Sequence, residues 1–139
     1  GNANGQSVRP VDVNGDEQDE VMVPVSVGAN TVTYTVWGFG DDGLYQINTE
    51  EGKPWEIAEG RGATAVNSFG CDPANSQRDL ITVNAVEKTK GTELVYEGER
   101  MRFKVTDGTA RVLKNEQVQA KENDDPKLKV DKSSCDPLP

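Results

Sequence analysis

Val21-Met22-Val23-Pro24-Val25-Ser26-Val27 runs, across Gly28-Ala29-Asn30, into Thr31-Val32-Thr33-Tyr34-Thr35-Val36-Trp37. Two β-branched runs of alternating character, separated by a short Gly/Asn segment, predict a β-hairpin. Working outward, the Asp41-Asp42-Gly43 turn leads into Leu44-Tyr45-Gln46-Ile47, and the Glu50-Glu51-Gly52 turn into a short strand at Trp55-Glu56-Ile57-Ala58. The second half follows a similar plan. Asp79 to Val86 reads as a strand and Lys90-Gly91 as a turn. Strands follow at Glu93-Leu94-Val95-Tyr96 and at Arg100 to Val105, then a sharp Asp107-Gly108 turn and a strand at Thr109 to Leu113. Polar and apolar residues alternate through most of this half, as in strands with one wet face. No segment carries sustained 3.6-residue periodicity with caps, so the predicted fold is all-β.

The chain has 139 residues, enough for one small domain or two halves sharing a core. Its 15 Lys+Arg against 24 Asp+Glu give a net charge of -9, so phosphate backbones and anionic membrane surfaces are disfavoured partners. Nucleic acid is not expected to bind. Hydrophobic residues make up 34% of the chain, and no run of about 18 apolar residues exists to span a membrane. Histidine is absent, which excludes serine-triad, papain-like and zinc-hydrolase chemistry within this chain.

Cys71 and Cys135 are too far apart for a CxxC motif, and one disulfide between them is the simplest use. A disulfide requires an oxidising compartment, so the expected location is extracellular, periplasmic or cell-surface. The start at Gly1-Asn2-Ala3-Asn4-Gly5-Gln6, without an initiator Met, reads as a cloning remnant before a mature region whose export signal, of lipoprotein or other type, was trimmed. The absence of an Asn-x-Ser/Thr sequon fits a bacterial source.

The segment with chemistry is Asp12-Val13-Asn14-Gly15-Asp16-Glu17-Gln18-Asp19-Glu20. Asp12, Asn14, Asp16 and Glu20 present side-chain oxygens at relative positions one, three, five and nine, and the Gln18 carbonyl can fill a further place. Calcium takes six to eight oxygens at about 2.3 to 2.6 Å, and a tightly wound loop with this spacing aims alternate side chains inward. Residues 12 to 23 resemble the FG-GAP/VCBS repeat of integrin-like propeller blades and bacterial secreted proteins. There an Asp-x-(Asp/Asn)-Gly-Asp-Gly-x-x-(Asp/Glu) loop precedes a β-branched strand. One position departs: Glu17 stands where the family has Gly. Shifted by 60 residues, Asp72 to Val83 overlies Asp12 to Val23 without a gap. In this second copy Ala74, Ser76 and Leu80 replace ligand types and leave Asp72 and Asp79, so it is expected to keep the turn and not the metal.

The resemblance implies two blade-like antiparallel meanders, residues 9–68 and 69–118, behind a flexible lead at 1–8 and before a polar tail at 119–139 tethered by Cys135. Two blades cannot close a propeller, so they are expected to pack as a sandwich or open barrel. The expected function is a non-catalytic, calcium-binding surface module, with an unknown protein or carbohydrate ligand. Two alternatives compete with it. Glu50, Glu51, Glu56 and Glu59 offer carboxylate pairs for glycoside hydrolysis, and the chain can also be a structural domain of a larger surface protein. Trp37, Phe39, Tyr45 and Trp55 are read as core rather than as a sugar platform.

Overall fold

The computed structural model describes residues 8–14, 20–28, 30–72 and 78–137. Among these residues lie ten strands: β1 (Arg9–Val11), β2 (Glu20–Val27), β3 (Val32–Gly40), β4 (Gly43–Gln46), β5 (Asn48–Thr49), β6 (Glu56–Arg61), β7 (Ala65–Asp72), β8 (Asp79–Lys90), β9 (Glu93–Thr106) and β10 (Thr109–Ala120). The fold is all-β, as the alternation predicts. The strands join in one sheet of order β1-β2-β3-β6-β7-β8-β9-β10-β5, with β4 paired to β3. All neighbours are antiparallel except β5 and β10.

The two ends of this path are linked by one continuous segment. β4 pairs with β3 and, one residue later, β5 pairs with β10. Between them the Ile47 amide donates to the Val36 carbonyl and the Ile47 carbonyl accepts from the Trp55 amide. The sheet therefore curls over an interior filled by Met22, Val36, Ile47, Trp55, Ile57, Phe69, Leu80 and Phe103. Trp55 and Phe103 meet there with ring centroids 5.3 Å apart.

Turn chemistry fixes the hairpins. Asp107 and Gly108 have φ of 53° and 75°, the paired positive values of a two-residue hairpin turn whose twist matches that of its strands. Pro24 is tolerated in β2 because β1 pairs only with Glu20–Met22, leaving that side of Pro24 without a ladder. The first hairpin neck pairs Val11 with Glu20 and Pro10 with Val21, and the second pairs Cys71 with Leu80 and Gly70 with Ile81. These rungs coincide under the same shift of 60 residues that aligns the two loops.

The segment after β10 is not a solvated tail. It crosses the outer face of β7 and β8 as a strap. Leu128 is fully buried with Val66, Val83 and Ala85 in a second apolar cluster. The Ser68 hydroxyl donates to the Leu128 carbonyl, and the Cys71 amide donates to the Ser134 hydroxyl. Asp131 caps the 3₁₀ turn Lys132–Cys135 by accepting from the Ser133 amide. β8 is thus covered on both faces over its first half, which is why Leu80-Ile81-Thr82-Val83 reads as a nearly continuous apolar run. Gly70 lies directly beneath the strap, where a Cβ would strike the Val130 side chain and the Asp131 carbonyl. The strap ends in the Cys71–Cys135 disulfide.

β9 is one strand across Glu97-Gly98-Glu99, where the sequence suggests a break between two shorter strands. Gly98 belongs there because a Cβ would land on the Asn84 carbonyl oxygen of β8. Gly98→Ala is expected to destabilise the protein by about 1 to 3 kcal/mol, the usual cost of overpacking, read as a lower urea midpoint. Replacing both cysteines by serine removes a cross-link between residues 64 apart in sequence. That change should cost about 4 kcal/mol on the chain-entropy estimate, measurable by the same unfolding titration.

Candidate functional site

Glu20 opens β2 opposite Val11, and Asp12 directly follows that last rung, so the first loop starts and ends at one point of the ladder. Both side chains are buried, Asp12 at 1% exposure and Glu20 at 4%. Burying a carboxylate is costly unless hydrogen bonds or cations compensate it. The Val13 amide donates to Glu20 Oε1 at 2.9 Å and folds the loop back onto its second stem.

Distant parts of the chain clamp this neck from behind. The Asp12 amide donates to the Cys135 carbonyl at 2.8 Å. The Arg78 guanidinium donates to the carbonyls of Asp12 and Asp136, and the Arg78 amide donates to the Asn14 carbonyl. Arg9 forms an ion pair with Asp136 at 2.9 Å. The stems of the first and second loops therefore lie side by side.

Of the five expected ligands, the structure places Asp12, Asn14 and Glu20 at the loop's stems. Asp16 and Gln18 lie outside the described residues, as do Ala74 and Ser76 of the second loop. Among the described residues, no three His, Cys, Asp or Glu side chains gather closely enough to hold a metal ion.

The second loop balances its acidic residues differently. Asp72 and Asp79 face each other across its neck. Arg102 of β9 bridges both, with Nη2 2.7 Å from Asp72 Oδ2 and Nη1 2.8 Å from Asp79 Oδ2. These bonds, the one to Asp72 foremost, hold the guanidinium above its ordinary pKa. A built-in cation thus sits between the two acidic groups. The sequence reading of the loops does not single out Arg102 or Arg78, because both act from outside the aligned ligand positions.

A second feature is a groove of about 760 Å³. Trp55, Ile57, Met101, Phe103, Ala110 and Val112 give it an apolar floor, and Glu50, Glu51 and Glu56 stand among its polar lining. The Val112 amide donates to Glu50 Oε1 at 3.2 Å, fixing the Glu50 side chain against β10. Glu59 lies apart from this group and meets Lys132 of the strap at 3.3 Å. The four aromatic candidates also separate. Trp55 is buried beneath the groove, whereas Phe39 and Tyr45 are exposed on the β3–β4 hairpin. Trp37 is half-buried and donates its indole N–H to Thr35.

No protein-family model matches this sequence, no curated protein matches it, and no solved structure matches its fold. The likeness of residues 12 to 23 to the FG-GAP/VCBS loop stands on those residues alone.

Proposed function

We propose that this chain is a non-catalytic binding module that works outside the cytoplasm and is stabilised by one calcium ion in the loop Asp12–Glu20. The observation that carries the reading is the burial of Asp12 and Glu20 together at the loop's neck. Two carboxylates at this depth, on the stems of an oxygen-rich loop, form the right donor set for a hard divalent cation. Asp12, Asn14, Asp16 and Glu20 would hold the ion through side chains and Gln18 through its carbonyl. The ion's role is structural, offsetting the negative charge of the loop and fixing its path into β2. The disulfide supports the placement outside the cytoplasm, since such bonds persist in oxidising compartments. The coincident rungs at the two loop necks support the repeat relationship.

Glu17, in place of the family's Gly, is expected to hold the affinity near 10⁻⁴ to 10⁻³ M, the range of extracellular modules. Calcium at about ten times Kd should stabilise the fold by about 1 to 2 kcal/mol, seen as a raised Tm that chelator reverses. Asp16→Ala should abolish that increment and leave the fold intact, while Ser76→Ala should preserve it. No calcium heat in calorimetry and a Tm unmoved by millimolar calcium would reduce the loop to a capped turn.

Glycoside hydrolysis is the competing reading, and the shared groove of Glu50, Glu51 and Glu56 is what favours it. A panel of chromogenic glycosides should show no turnover above background. Turnover that is lost in Glu56→Gln would establish the enzyme instead.

A further inference from the structure

The groove carries an inference that rests on reading the chain as a binding module and does not depend on the calcium site. Three consecutive residues of β6, Glu56-Ile57-Ala58, line it. Successive side chains of a strand point to opposite faces, so a cavity touching three in a row runs along the strand's edge. β6 pairs with β3 over Glu56–Glu59 on one side, whereas β7 pairs only with Gly60 and Arg61 on the other. Among the described residues, the edge of β6 from Glu56 to Ala58 therefore has no ladder partner on its β7 side.

The lining has a definite chemistry. Among the described residues it includes three glutamates and no lysine or arginine. An apolar floor beneath carboxylates of one sign focuses a negative potential in the groove. Thr82 lines it at only 5% exposure. Val112, although on the groove wall, is 45% exposed. An uncovered apolar side chain on a groove wall is a feature that a ligand would complete.

We propose that the groove binds an extended peptide segment carrying alternating apolar and basic side chains, which adds to the edge of β6 as a strand. Its backbone pairs with Glu56–Ala58. Its apolar side chains cover Met101, Phe103 and Val112, and its basic side chains meet Glu50, Glu51 and Glu56. The chain's net charge of -9 draws a basic segment toward this face.

The test uses the disulfide-intact protein and a fluorescein-labelled hexapeptide alternating valine and lysine, followed by fluorescence polarisation. Saturable binding is expected, weakened about tenfold in the Glu50→Gln/Glu51→Gln/Glu56→Gln variant, with a Kd that rises with salt. Ala58→Arg, which puts bulk and positive charge at the strand edge, should abolish binding with the Tm unchanged. N-methylation of alternate peptide amides should weaken binding at least tenfold, because strand addition needs those donors. Equal affinity for a valine–glutamate peptide, undiminished affinity of the N-methylated peptide, displacement by an equimolar simple diamine, or no binding at millimolar peptide would each overturn the proposal. Every titration is run with calcium and with chelator. Peptide binding without any calcium response overturns the loop reading alone, and a calcium response without peptide binding overturns the groove alone.

Discussion

The Cys71–Cys135 bond sets what can pack against what in this molecule. Cys135 is fully buried, and its carbonyl accepts from the Asp12 amide while its sulfur is tied to β7. One short turn thus joins the strap, the second hairpin and the neck of the first loop. It fixes the end of the strap that carries Leu128 and Val130 across the outer face of β7 and β8. A single hydrophobic face is a thin core for so polar a chain, and the strap supplies the second one.

The two loop necks both carry acidic residues, and only the second has its carboxylates bridged by Arg102. In the second, Arg102 reaches across from β9 and neutralises Asp72 and Asp79 with a permanent charge. Such a bridge needs no ligand and responds to none. In the first, the nearby Arg78 guanidinium reaches Asp12 through its backbone carbonyl. An arginine at a neck makes a loop constitutive, whereas a loop completed by a divalent ion, as proposed for the first, would take its rigidity from the surrounding medium.

The parts of the fold most legible in the sequence are those where burial is one-sided. β2 and β3 alternate visibly, and Asp107-Gly108 announces its own turn. β7 escapes the same reading because the strap covers its outer face, so Val66, Phe69, Gly70 and Cys71 are buried without strict alternation. β1 is three residues long and contains Pro10, too little for a pattern. Gly98 looks like a turn residue and is instead a point of close backbone approach. The strap reads as solvated because its lysines and aspartates outnumber its anchors, Leu128, Val130 and Cys135. The proposed loop ligands stand out as a motif because they lie within nine residues of one another. The groove is assembled from β3, the stretch from β5 into β6, β8, β9 and β10, and no local pattern announces a surface made from segments so far apart in the chain.

The contacts between residues 9–14 and residues 135–136 also impose an order of events. Until Cys135 and Asp136 arrive, the first loop's neck has only its β2 pairing and its Arg78 bonds, so a chain delivered only as far as β9 holds an N-terminal stem that is incompletely clamped. Contacts of such long sequence separation form late and slow the search for the native topology. Assembly is therefore governed from its far end: the last described segment to emerge is the one that secures the first.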